Sequence, residues 1–177
     1  MRITKVVRYR VSQFLRALTA PHAISERRID RASEILSPQA QALFMEQAFQ
    51  DQRHALDVYD ALLEEGHTNE DLLTAALLHD VGKAGVHASP WQRGVFVLAK
   101  RFAPWALGAL LPKGAGAQES PFATYANHAE IGARRAERAG CSALTVDLIR
   151  HHERGPMGCH SERDRLLTAL RAADSAH

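Results

Sequence analysis

The stretch Leu77-Leu78-His79-Asp80-Val81-Gly82-Lys83 decides how this chain reads. It closes an apolar run that begins at Glu70. Thr68 or Asn69 is placed to cap the start and Gly82 to stop the end, so the pattern predicts a helix over Glu70 to Asp80. An imidazole and a carboxylate therefore sit side by side where an apolar helix finishes. A glycine and a lysine follow directly.

Outward from there, Ser-Pro pairs and glycines punctuate the chain into further helices. Ser37-Pro38 reads as an N-cap followed by a first-turn proline, and the amphipathic run behind it predicts one long helix to about Glu65, stopped by Gly66. Ser89-Pro90 starts another, kinked or broken at Pro104, and Gly114 and Gly116 belong to a loop. Ser120-Pro121 opens a helix that ends at Gly140. Ser142 caps the next, to about Glu153; Arg154 to His160 reads as a loop; Ser161, with Asp164 in the first turn, starts the last helix. No segment alternates with a period of two over β-branched residues, so the fold class is all-α. Val11 to Leu18 and Ser25 to Leu36 read as N-terminal helical arms that either pack on the core or make a homo-oligomer contact. The expected organisation is an extension over 1–36 and a main domain over 37–177.

A chain of 177 residues suits one domain with a real core. A formal charge of +2 is too small to point to a nucleic-acid polymer or a membrane surface. The most apolar stretch, Val95 to Leu111, is interrupted by Lys100, Arg101 and Pro104 and is too short and too charged to span a bilayer. The basic N-terminus is not followed by the apolar run of a secretory signal. Cys141 and Cys159 give no disulfide framework and suit a reducing compartment, so the expected location is the cytoplasm. Trp91, Phe96, Phe102 and Trp105 form an aromatic cluster that packs a core or walls a substrate site.

Histidine is the compositional outlier, with ten residues. His54 shares a helix stripe with Val58, Ala61 and Leu62, and His128 lies between Tyr125 and Ile131 at helical spacing. His151 follows Leu144 and Leu148, and Asp174 follows Leu167 and Leu170. One histidine on an apolar stripe is more often a satisfied core residue. Several of them, together with buried acids, call for pairing or a metal, and histidine and aspartate are ligands for divalent transition metals. His22, His67, His87 and His160 fall in expected loops or termini and read as surface residues, and His177 is terminal.

The ordered set His54, His79-Asp80, His128, His151-His152 and Asp174 resembles the HD superfamily of metal-dependent phosphohydrolases. His79-Asp80-Val81-Gly82-Lys83 is similar to its HDIG variant. His128-Ala129-Glu130-Ile131-Gly132 and His151-His152-Glu153 resemble the second and third histidine motifs of the multi-metal branch, and Ala172-Ala173-Asp174 its closing aspartate motif. The resemblance covers about residues 45 to 177 and implies an HD-type helical bundle carrying two divalent ions of manganese, iron, cobalt, nickel or zinc. In that reading His54, His79, Asp80 and Asp174 hold the first ion. Asp80 bridges to the second, which His128 and His151 also hold, with His152 an alternative ligand or an outer group. The implied activity is hydrolysis of a phosphomonoester or phosphodiester, such as a nucleotide, by a hydroxide between the metals. Lys83 is placed to reach the phosphate or leaving oxygen and Arg53 to contact substrate.

Two departures narrow this expectation. The cyclic-di-GMP-cleaving branch carries Gly-Tyr-Pro after its His-His-Glu, and here Arg154-Gly155-Pro156-Met157-Gly158 follows Glu153, which speaks against that substrate. A third-metal glutamate of that branch is replaced by Gln50, which argues for two metals. The same scaffold also serves diiron oxygenases and nucleotide-binding regulatory modules, which are the competing readings.

Overall fold

The computed structural model describes residues 24–85, 121–154 and 161–177. The arm expected over Val11 to Leu18, the helix from Ser89-Pro90 with its aromatic cluster and the Gly114–Gly116 loop lie outside the described residues. So do His22, His87, Cys159 and His160. What is described is all-helical: α1 (Glu26–Ile35), α2 (Pro38–Met45), α3 (Phe49–Glu64), α4 (Glu70–Leu78), α5 (Pro121–Arg138), α6 (Ala143–His151) and α7 (Glu162–Ala176). A 3-10 turn, Val81–Lys83, follows α4.

Helix α4 is the axis of the bundle. Leu72, Leu73, Ala75, Ala76, Leu77 and Leu78 are all buried, as expected of a helix apolar on every side. It is surrounded by α1, α2, α3, α6 and α7, while α5 packs chiefly on the 3-10 turn and α6. Burying each leucine is worth roughly 1.5–3 kcal/mol. That gain is what can carry His79 and Asp80, only 1% and 4% exposed, into the interior at the end of the same helix.

The helix boundaries follow local chemistry. Asn69 Oδ1 accepts from Leu72 N at 3.0 Å, Ser142 Oγ from Thr145 N at 3.0 Å and Ser161 Oγ from Asp164 N at 3.2 Å. These caps satisfy N–H groups that a helix start leaves open. Gly66 and Gly140 take positive φ, 84° and 77°. At each, paired bonds close the preceding helix: His67 N to Leu62 O and Gly66 N to Leu63 O, then Cys141 N to Ala136 O and Gly140 N to Glu137 O. The second arm, α1, packs on the core through Ala32 and Leu36, and Arg28 ties it to α3 by ion pairs to Asp57 (2.7 Å) and Asp60 (2.8 Å).

The run expected as one long helix from Pro38 to about Glu65 is two helices, α2 and α3, joined by a corner at 46–48. No glycine or proline marks the break. Ala48 is extended (φ −61°, ψ 148°), and glutamine side chains replace the missing helical bonds. Gln52 Nε2 donates to Met45 O (3.2 Å) and Gln47 O (2.9 Å). Helix α4 also stops at Leu78, before the expected Asp80, because the chain tightens there into the 3-10 turn. Helix α6 stops at His151 rather than at Glu153. No helix among the described residues is long and apolar enough to cross a membrane.

Candidate metal centre

Three elements deliver the buried histidines, each by its end or its inner face. His79 leaves α4 as its C-cap and Asp80 begins the 3-10 turn. His128 faces inward from α5, and His152 leaves α6 as its C-cap. His54 comes from the middle of α3 and Asp174 from the last turn of α7.

Two glycines make this convergence possible. A Cβ on Gly82 would lie 2.0 Å from His128 O and 2.8 Å from Gly132 N. One on Gly132 would lie 3.1 Å from Gly82 N. The backbone of the 3-10 turn thus rests directly on the backbone of α5, and this contact carries Asp80 to His128. Gly82 and Gly132 belong to the His79–Lys83 and His128–Gly132 motifs. Their role is close approach rather than an unusual backbone angle.

The side chains form two adjoining groups. The outer one is His54, His79 and Asp174, and the inner one is Asp80, His128 and His152. In the outer group Asp174 Oδ1 lies 2.9 Å from His54 Nε2 and 3.6 Å from His79 Nε2. In the inner group His128 Nε2 lies 3.3 Å from Asp80 Oδ1 and 3.2 Å from His152 Nε2. Asp80 stands between the groups, its Oδ2 3.7 Å from His79 Nε2.

The tautomers follow from the backbone. The Nδ1 of His79 donates to Ala76 O (2.8 Å), that of His128 to Tyr125 O (2.8 Å) and that of His152 to Ile149 O (2.7 Å). A carbonyl only accepts, so each Nδ1 carries the hydrogen, and each ring, when neutral, offers a lone pair at Nε2. The Nε2 lone pairs of His128 and His152 then face each other at 3.2 Å. His79 Nε2 is buried with no hydrogen-bond partner. Such an arrangement of electron pairs and carboxylates is repulsive until a cation enters it. Two donors each about 2.0–2.2 Å from one transition-metal ion lie roughly 3–4 Å apart, which is the spacing found in both groups. The residues present therefore fit a metal ion, and each group could hold one.

Burial opposes the charge of His79, yet Asp80 and Asp174 raise its imidazole above the usual histidine value, so a metal ion there would compete with a proton. Burial opposes the charge of Asp80, yet Lys83, His79 and His128 hold its carboxyl well below the usual carboxylate range. Burial likewise opposes the charge of Asp174, and His54 and His79 outweigh it. Burial, then the neighbouring His79, pushes the His152 imidazole down to about 4, leaving it neutral and available as a ligand at neutral pH.

The remaining expected site residues fall as follows. His151 does not join either group. Its Nδ1 donates to Asp147 O at 2.9 Å and lies 3.1 Å from Asp147 Oδ1. His152 occupies the inner position instead: its backbone is still helical, and it continues the buried face of Thr145, Leu148 and Ile149. Lys83 Nζ sits 2.5 Å from Asp80 Oδ2 and 6.0 Å from the centre of the Tyr125 ring. Its ammonium is thus directed at Asp80. Arg53 is half-buried on α3, and its side chain leaves the helix about 100° around from that of His54.

Three further residues lie beside this centre: Glu153 of the His151-His152-Glu153 motif, and Arg135 and Gln47, which no motif contains. Glu153 Oε1 lies 3.7 Å from His128 Nε2. Arg135 Nη1 donates to Val81 O (3.0 Å); it lies two helical turns beyond His128, so a same-face search on α5 would have found it. Gln47 Nε2 donates to Leu77 O (3.0 Å), a contact with no signal in the sequence. Comparison with known protein families, with curated proteins and with solved structures finds no match for this chain.

Proposed function

We propose that this protein is a metal-dependent phosphohydrolase with a two-ion centre. The observation that carries the reading is the inner group. Two buried Nε2 atoms meet at 3.2 Å beside a carboxylate held in its charged form, and a second group, His54, His79 and Asp174, adjoins them. The ordered resemblance of His54, His79-Asp80, His128, His151-His152 and Asp174 to the HD superfamily supports phosphate chemistry in particular.

His54, His79 and Asp174 would hold one ion, His128 and His152 the other, with Asp80 between them. When bound, the ions supply Lewis acidity and a water acidified to near neutral pH. The chain's own residues do the rest. The backbone carbonyls of Ala76, Tyr125 and Ile149 fix the three rings so that Nε2 points inward. Lys83 neutralises Asp80 and fixes its Oδ2. A phosphate ester, monoester or diester, is the substrate class whose charge such a centre complements.

The test is metal analysis of protein purified without chelator, with a screen of phosphomonoesters, phosphodiesters and nucleotides for phosphate release. The expected result is roughly two equivalents of metal and hydrolysis of at least one ester, both lost in Asp80→Ala. Metal-loaded protein that hydrolyses no ester, but holds iron and consumes dioxygen, would replace this reading with the oxygenase.

A further inference from the structure

The corner between α2 and α3 interrupts a helix whose periodicity runs straight through it, and its two central residues both reach toward the same turn. Gln47, buried, donates through Nε2 to Leu77 O, one of the carbonyls that a helix C-terminus leaves without an in-helix donor. Glu46 is ion-paired with Arg135 Nη2, and Arg135 Nη1 donates to Val81 O at 3.0 Å. Leu77 precedes His79-Asp80 and Val81 follows it. Gln52 braces the corner itself through Met45 O and Gln47 O.

We infer that the corner is a bracket that positions the His79-Asp80 turn. Gln47 holds the carbonyl on one side, and Glu46, through Arg135, holds the carbonyl on the other. Asp80 needs such support. Its backbone (φ −99°, ψ 3°) lies in the sparsely populated bridge region between helix and turn, and its two oxygens must face two different groups. Gln47, Glu46 and Arg135 touch no ligand atom; they are positioning residues that act through the backbone. Groups that hydrogen-bond a ligating side chain commonly change metal affinity by about 10–100-fold when lost, and the low end of that range is expected for groups that act one step further out, through the backbone. The inference rests on His79 and Asp80 being metal ligands, and the experiment separates its failure from the failure of that reading.

Three variants suffice. Gln47→Met keeps an unbranched buried side chain and removes the donor. Glu46→Ala removes the anchor of Arg135 at a side chain that is 56% exposed. Glu46→Gln restores an acceptor without the charge. Met45→Ala, exposed at the same corner, is the control. Three quantities are measured on the full chain: cobalt(II) affinity by visible absorption, the melting temperature of metal-free protein, and hydrogen exchange of the Lys83 and Ala84 amides, which bond Asp80 O and Val81 O.

The expected result is cobalt affinity weakened about 10-fold, the low end for outer groups, in Gln47→Met and Glu46→Ala, with Glu46→Gln recovering most of it. Met45→Ala stays like wild type, and Glu46→Ala keeps the wild-type melting temperature. Unchanged cobalt affinity in Glu46→Ala and Gln47→Met overturns the inference. If Gln47→Met does not fold, Glu46→Ala decides alone. If wild type takes up no cobalt, the metal reading fails and exchange decides the bracket. Faster exchange at Lys83 and Ala84 with Leu170 unchanged sustains it; equal exchange overturns it.

Discussion

The inner and outer groups use the same residue types and differ in how the fold holds them. The inner side chains, Asp80, His128 and His152, are almost wholly shielded, and they meet because backbone touches backbone at Gly82 and His128. The outer group has one buried member, His79. Its other two, His54 and Asp174, are 26% and 31% exposed and come from a helix face and from the last turn of the chain. One group is therefore set by the packing of rigid elements, the other by side chains partly open to solvent. The inner group is expected to bind its ion more tightly and release it more slowly.

The largest effect should come from Gly82→Ala. Its Cβ would overlap a backbone oxygen that cannot step aside, so unfolding in denaturant should show a loss of about 4 kcal/mol or more, with the inner ion gone. Gly132→Ala meets softer contacts at 3.1–3.4 Å. Overpacking of about 1–3 kcal/mol is partly offset by the ~1 kcal/mol that alanine gains over glycine in a helix. Equal losses in the two variants would mean that backbone contact does not set the inner group.

Metal analysis of His152→Ala against His151→Ala comes next. The first should lose roughly one equivalent, the inner ion of a two-ion centre, and the second none. The reverse result would move the inner ligand to His151. Asp174→Ala should empty the outer group and leave the inner one filled. In wild type, a chelator should strip the two ions in separate phases with the outer one first. A single phase would erase the distinction between the groups.

The smallest effect concerns the start of α7, the helix that carries Asp174. The Ser161 hydroxyl, with Arg163, holds the Asp164 carboxyl below its usual value of 3.8. A folded-state value lowered in this way means that the unfolded chain binds the proton more readily. The contribution is present in full above about pH 3.8 and is lost as pH falls through the lower folded value. The stability difference between wild type and Asp164→Asn should accordingly shrink in acid. A difference that stays constant down to pH 2 would show the cap to be insensitive to that charge.

The helices were largely legible from local chemistry. Asn69, Ser142 and Ser161 cap where their side chains predict, and Gly66 and Gly140 close α3 and α5, because capping and positive φ are properties of a few neighbouring residues. The corner at 46–48 was not legible. Its carbonyls are satisfied by Gln52, and Gln47 reaches a helix thirty residues away, so nothing in the local pattern had to change.

The sequence by itself determined an all-α chain and placed most of its candidate histidines and acids on apolar stripes, whereas His151, read there with Leu144 and Leu148, lies outside both groups. The resemblance implied a place for Asp80 between two metal-binding sets, and Asp80 lies in the inner group, 3.7 Å from His79 of the outer one. Tertiary structure decided which of His151 and His152 faces inward, since it set which face of α6 packs, the one bearing Thr145, Leu148, Ile149 and His152. It alone directed Lys83 to Asp80, and it alone gave Gly82 and Gly132 their purpose. Each of these depends on which backbone lies against which, and that is fixed only when helices distant in sequence pack around α4.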